Sequence, residues 1–204
     1  MRTMRSERAR ALLASGVLLA SGALLTAAAF TDYDDVTVAL DGSHNRFGIV
    51  VAGAAGTQWE PTSNSWVQGN PEAYRIALGS GSSHVLSPGG ILDLRIAVKN
   101  DSPSLAGLID LDIVDPQPRG QQSDPATGNY LELFDQLLFT VSEGGTVLLD
   151  RVPATQPLSF AWSAPLAAGD HRLLDVRIEL PDSVDNRWQG ASTDVQFQFE
   201  AVNS

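Results

Sequence analysis

Histidine, serine and clustered carboxylates are the side chains through which this chain could do chemistry, and their spacing argues against most of it. A hydrolytic zinc site needs three protein ligands and a base, commonly two histidines one helical turn apart with a glutamate beside the first. The chain has three histidines, His44, His84 and His171, each alone in a turn-like stretch. It has no cysteine, which removes thiolate zinc sites, cysteine nucleophiles and disulfides together. Serines are scattered, and none sits in a nucleophile-elbow sequence. No pair among the many acids stands out as the acid and base of a glycosidase. Asp110, Asp112 and Asp115 fall within six residues and invite a calcium reading. Strand alternation sends Asp110 and Asp112 outward, however, and the loop pattern of an EF-hand is absent. The expectation is a non-enzymatic protein with no metal and no cofactor.

Two other residue sets could recognise a ligand or be acted upon. Trp59 and Trp66 lie in a Thr-, Ser-, Asn- and Pro-containing stretch without usable period. Such rings can stack on sugars, or they can lie over the apolar rim of the domain; the second is favoured. Ala27 and Ala29 give the small-x-small pattern that a signal peptidase accepts, so the Ala29–Phe30 bond is the expected cut. A basic head of Arg2, Arg5, Arg8 and Arg10 precedes 19 uncharged residues from Ala11 to Ala29. That run is long enough to span a bilayer as a helix. Its Ala, Gly and Ser content, its cleavage-type ending and the lack of a following basic cluster favour a leader removed on export. Residues 1–29 are thus the signal peptide and 30–204 one mature domain, touching membrane only before cleavage.

Bulk properties agree with export. The 204 residues carry a net charge of −11 from 13 basic and 24 acidic side chains. Residues 1–29 account for four Arg and one Glu, so the mature chain stands at −14. Nucleic acid and anionic membranes would be repelled. A chain of this size buries about 70% of its unfolded surface and needs no covalent staple.

The elements that must position these residues are strands. Asp34–Leu40 alternates with Val36, Val38 and Leu40 on one face. Further runs are expected at Phe47–Ala52, at Tyr74, Ile76 and Leu78, at Leu92–Val98, at Ile109–Ile113, at Leu138–Val141 and at Thr146–Leu149. The last three are Leu158–Trp162, Leu174–Leu180 and Val195–Ala201. Ser142-Glu143-Gly144-Gly145 is a hairpin signal. Tyr130, Leu133, Phe134 and Leu137 are spaced as one side of a short helix. Nine or ten short strands with one brief helix imply an all-β fold of two packed antiparallel sheets, jelly-roll-like or immunoglobulin-like.

Three stretches together resemble one family. The junction Ala28-Ala29-Phe30-Thr31-Asp32 is similar to the site cut by the SipW-type signal peptidase. Leu86-Ser87-Pro88-Gly89 followed by Val98-Lys99-Asn100-Asp101-Ser102 resembles a Pro-Gly turn, strand and Asn-ended exit. Asn186, Trp188, Gln189, Gly190 and Ser192, ahead of Phe197, Phe199, Glu200 and Ala201, resemble the closing signature of the TasA/camelysin family. The stretch Gly42–Ile49 departs from that family's pattern. The resemblance implies a secreted jelly-roll-like sandwich that builds biofilm matrix or cell-surface fibres. Its partners would be its own copies or related matrix proteins, after processing by a SipW-type signal peptidase. It also implies that the mature N-terminal segment, here 30–40 with Val36, Val38 and Leu40 inserted, serves as a strand donated to the next subunit. The alternatives are a cell-envelope adhesin or carbohydrate-binding module working through Trp59 and Trp66 and, less favoured, a camelysin-type metallopeptidase. At the C-terminal signature, Gly190 is expected to supply a backbone angle closed to other residues, and Gln189 to satisfy backbone groups at the turn.

Overall fold

A computed structural model describes residues 47–69, 74–76 and 86–203. Eight strands are found among them: β1 (Ile49–Ala55), β2 (Ile91–Asn100), β3 (Gly107–Val114), β4 (Leu138–Glu143), β5 (Thr146–Pro153), β6 (Ser159–Ala161), β7 (His171–Glu179) and β8 (Gln196–Asn203). They form two antiparallel sheets, a larger one in the order β1-β2-β7-β4-β5 and a smaller one in the order β6-β3-β8. This is the all-β sandwich that the alternating pattern implies.

Period-2 alternation works here because successive side chains of a strand point to opposite faces. In β3, Ile109, Leu111 and Ile113 are buried while Leu108, Asp110 and Asp112 are exposed. Leu94, Ile96 and Val98 of β2 and Leu174, Val176 and Ile178 of β7 meet them from the larger sheet. Phe139 and Val141 of β4 complete the centre, and Phe139 is fully buried. The β4–β5 hairpin turns through Gly144 and Gly145 at φ 55° and 84°, the doubly positive angles of a tight turn that glycine adopts without strain.

From β2 onward the winding settles the choice between topologies. The orders 2-7-4-5 and 6-3-8 are those of a jelly roll, whose chain crosses from one sheet to the other and back. A jelly roll places its first strand beside its last. Here β1 instead joins β2 in the larger sheet, with Ile49 opposite Asn100, leaving five strands over three.

Several expectations change. The helix expected over Tyr130–Leu137 is a single 3-10 turn, Phe134–Gln136. Tyr130 and Glu132 are drawn sideways into bridges with Ser123 and Ser192, so their backbone cannot close helical bonds. Tyr74–Ile76 carries no strand; Ile76 instead packs against the core, close to Gly53, where an added Cβ would come within 2.7 Å of its Cδ1. Leu78 and the strand expected at 34–40 lie outside the described residues.

Candidate functional site

Part of the residue set singled out by sequence falls within the described residues, and there it lies at the ends and edges of the sandwich. Ala27, Ala29, Phe30, Val36, Val38 and Leu40 lie outside the described residues, as do His44 and His84. His171 is the exposed first residue of β7, in a strand rather than a turn. Among the described residues no three His, Asp or Glu side chains cluster as metal ligands. No described helix is long and apolar enough to cross a membrane.

Trp59 and Trp66 are both half-buried on the segment that follows β1. Val67 forms a two-hydrogen-bond bridge with Val51, at 2.9 Å each way, which folds the segment back onto β1. Trp66 then meets His171 edge-on, with ring centroids 5.5 Å apart, and lies 5.9 Å from the Lys99 ammonium. Trp59 is held by its carbonyl, which accepts from Arg95 Nη1 at 3.1 Å. The two rings do not form one platform: Trp66 is tied to the Lys99 end of β2, and Trp59 to Arg95 four residues earlier.

The C-terminal signature is a strap tied across the 117–132 segment. Asn186–Trp188 forms a 3-10 turn capped by Asp185, whose carboxylate accepts from the Arg187 N–H at 3.0 Å. The Arg187 side chain also donates to Asp185 and holds its carboxyl below the ordinary range. Trp188 packs on Tyr130 with centroids 4.9 Å apart, and the Arg187 guanidinium lies 5.1 Å from the Trp188 ring. Tyr130 N–H donates to the Arg187 carbonyl at 2.7 Å and Ser192 N–H to the Leu131 carbonyl at 3.1 Å. Gly190 sits at φ 85°, the angle expected of it. The bonds of Gln189 come from its backbone: its carbonyl accepts from Asn129 Nδ2 at 3.1 Å, and its N–H donates to Asn186. These bonds use the main chain of Gln189 rather than the side-chain amide that the sequence pointed to.

Beneath the strap is a carboxylate that pattern reading missed. Glu132 is 6% exposed. Its Oε1 accepts from the backbone N–H of Leu133 at 2.9 Å and of Phe134 at 3.2 Å, while Oε2 faces Arg119 Nε at 3.3 Å. Burial pushes its pKa up, but the N–H donors, the Thr193 hydroxyl and Arg119 outweigh that and lower it. Neighbouring Asp115 moves the other way, raised by burial and by its hydrogen bond to Glu132. Arg119 Nη2 also donates to the Ser192 carbonyl. The sequence signal was faint: a lone acid inside Tyr-Leu-Glu-Leu-Phe, where helical spacing had a simpler explanation.

The Asn-ended exit is a second clamp. Asn100 is fully buried, and its Nδ2 donates to the Leu105 and Leu166 carbonyls at 2.8 and 2.9 Å while its Oδ1 accepts from Ser102 N–H at 3.0 Å. A buried amide with these partners pins the crossing from one sheet to the other. In the Pro-Gly turn, Gly89 (φ 78°) donates to the Leu180 carbonyl at 2.8 Å, and a Cβ there would strike Asp182.

One face of the final strand is incompletely covered. Phe197, Phe199 and Ala201 of β8 point inward opposite Ile113, Leu111 and Ile109 of β3. Those three β3 residues are 4%, 0% and 0% exposed, yet the three on β8 are only half-buried. Among the described residues, β3 is the one strand paired with β8. No family model matches this chain, and no curated protein matches it.

Proposed function

We propose that this protein is a secreted structural subunit of extracellular matrix or cell-surface fibres. Its mature N-terminal strand, with Val36, Val38 and Leu40 as the inserted face, adds to the sheet of a neighbouring copy. The observation that supports this reading is that, among the described residues, β8 is paired on one side only. Along its other side a row of main-chain donors and acceptors adjoins half-covered phenylalanines, at the position where a jelly roll carries its first strand. Strand addition supplies main-chain hydrogen bonds and pockets for alternate side chains at once. Repeated head to tail without closure, it yields a filament. Removal of the leader by a SipW-type signal peptidase would release the donor.

The competing arrangement is pairing within one chain. Phe47 lies against Gly107, near the Val202 carbonyl at the far end of β8, so residues 41–46 alone separate that point from Leu40. Two forms of the mature chain, one bearing Thr37→Cys and one bearing Gln198→Cys, both on the outward-facing side of their strands, separate the two arrangements. Disulfides formed between the two forms, in material that shows filaments by electron microscopy, support exchange. Filaments that persist after deletion of residues 30–40 refute it, and a mature chain that stays monomeric at every concentration refutes the fibre itself.

A further inference from the structure

The outer face of the larger sheet holds a cleft of about 630 Å³, within the range of small-ligand sites. Its floor is built from β2, β7 and β4, and its sides from β5 and from Thr57 and Gln58 after β1. Cross-strand register places Asp93 opposite Arg177 and Arg95 opposite Asp175. Arg177 Nε donates to Asp93 at 2.8 Å and Arg95 Nε to Asp175 at 2.5 Å. Arg95 also reaches Glu60 at 2.5 Å, and Arg151 pairs with Glu179.

Arg151 is the one non-glycine residue with positive φ among those described, at 46°. Its N–H donates to Thr140 Oγ1 at 3.1 Å, beside the register shift between β4 and β5. Bulges re-aim side chains, and a left-handed non-glycine angle persists only where its surroundings enforce it. Exposed ion pairs add little to stability, so the fold has small need of this constellation.

The lining decides the class of ligand. Its three guanidiniums stand against four carboxylates, those of Asp93, Asp150, Asp175 and Glu179, with the hydroxyls of Thr140 and Ser142 between them. An anion would have to displace a carboxylate from each arginine, and a cation would meet three positive groups. Each arginine has five N–H donors and each carboxylate about four lone-pair sites, so donors and acceptors remain side by side after the internal pairing. Adjacent hydroxyls, each donor and acceptor, match that alternation.

We infer that this cleft binds a neutral polyhydroxylated ligand, a short run of an extracellular glycan. The site is separate from β8 and does not rest on strand addition. It differs from stacking at Trp66, whose ring is tied to His171 and Lys99.

Calorimetric titration of the purified exported protein with cellohexaose, maltohexaose, laminarihexaose and chitohexaose tests the inference. Saturable binding to at least one is expected, weakened about tenfold by Arg177→Met and by Asp150→Ala, the loss of roughly one hydrogen bond. Unfolding temperature should be retained in both. Affinity should hold between about 50 and about 500 mM salt, since a neutral ligand brings no charge to screen. Trp66→Ala should leave binding intact. The inference fails if none of the four binds at about 10 mM, a concentration that would reveal even millimolar affinity. It also fails if both cleft variants bind normally, if Trp66→Ala alone abolishes binding, or if only polygalacturonate binds, with steep salt dependence.

Discussion

Glu132 joins the ordinary physics of a buried charge to the strap that leads into the last strand. Its folded pKa is lowered, so its stabilising contribution is present above the usual glutamate value and is lost as pH falls through the folded value. Asp115 is raised and has the opposite sign: its contribution is present below the usual aspartate value and is lost as pH rises past the folded one. The two therefore oppose each other in the carboxylate range, and the loss of stability on acidification belongs to Glu132. Glu132→Gln keeps the two N–H bonds to Oε1 but turns an amide donor toward Arg119. It should cost about 2 kcal/mol at neutral pH and flatten the acid limb, as read by urea unfolding across that range. Gly190 gives a simpler case. Nothing lies within 4 Å of an added Cβ, so Gly190→Ala meets no clash and should cost about 1 kcal/mol through its φ of 85° alone. The same denaturant series measures it.

At the scale of elements, β3 and β8 make a controlled comparison. They are paired over eight residues and carry the same alternation, yet among the described residues β3 lies between two strands and β8 at the edge of its sheet. Leu111→Ala removes a fully buried side chain and should destabilise the monomer by about 3 kcal/mol. Phe199, directly opposite, is larger but only half-covered, so Phe199→Ala should cost the monomer about 1 to 2 kcal/mol. If the added strand of a second copy completes its burial, the same change should raise the critical concentration for filaments well beyond what Leu111→Ala does. Light scattering against concentration, with monomer stability measured in parallel, reads the difference. The half-burial of Phe197 and Phe199 was invisible in the sequence, because alternation says which way a side chain points and nothing about what covers it.

At the scale of the molecule, net charge sets the conditions under which copies can meet. The chain carries −11, and residues 30–204 by themselves −14, so copies repel one another; exposed Asp110 lies directly opposite Glu200 on the outer face of the smaller sheet, which adds a local like-charge pair. If copies assemble as proposed, assembly should accelerate from about 10 mM to about 150 mM salt, as the screening length falls from about 30 Å to about 8 Å. Thioflavin-independent light scattering follows it. A rate that falls with salt would point instead to attraction between opposite patches.

Composition and alternation by themselves determined that this is a cysteine-free, acidic β-sandwich. They also determined which faces of β2, β3, β7 and β8 turn inward, because side-chain direction along a strand is a local property with period two. Gly144 and Gly190 were legible for the same reason, since a backbone angle belongs to one residue. Only the tertiary structure decided that β1 joins the larger sheet and that, among the described residues, β8 is paired on one side only. It alone parted Trp59 from Trp66, buried Glu132 under the Asn186–Ser192 strap, and aligned Arg95, Arg151 and Arg177 over one cleft. Each of these depends on which distant strands pair, and pairing is selected by loop closure and shared burial across the whole chain, which no local period records.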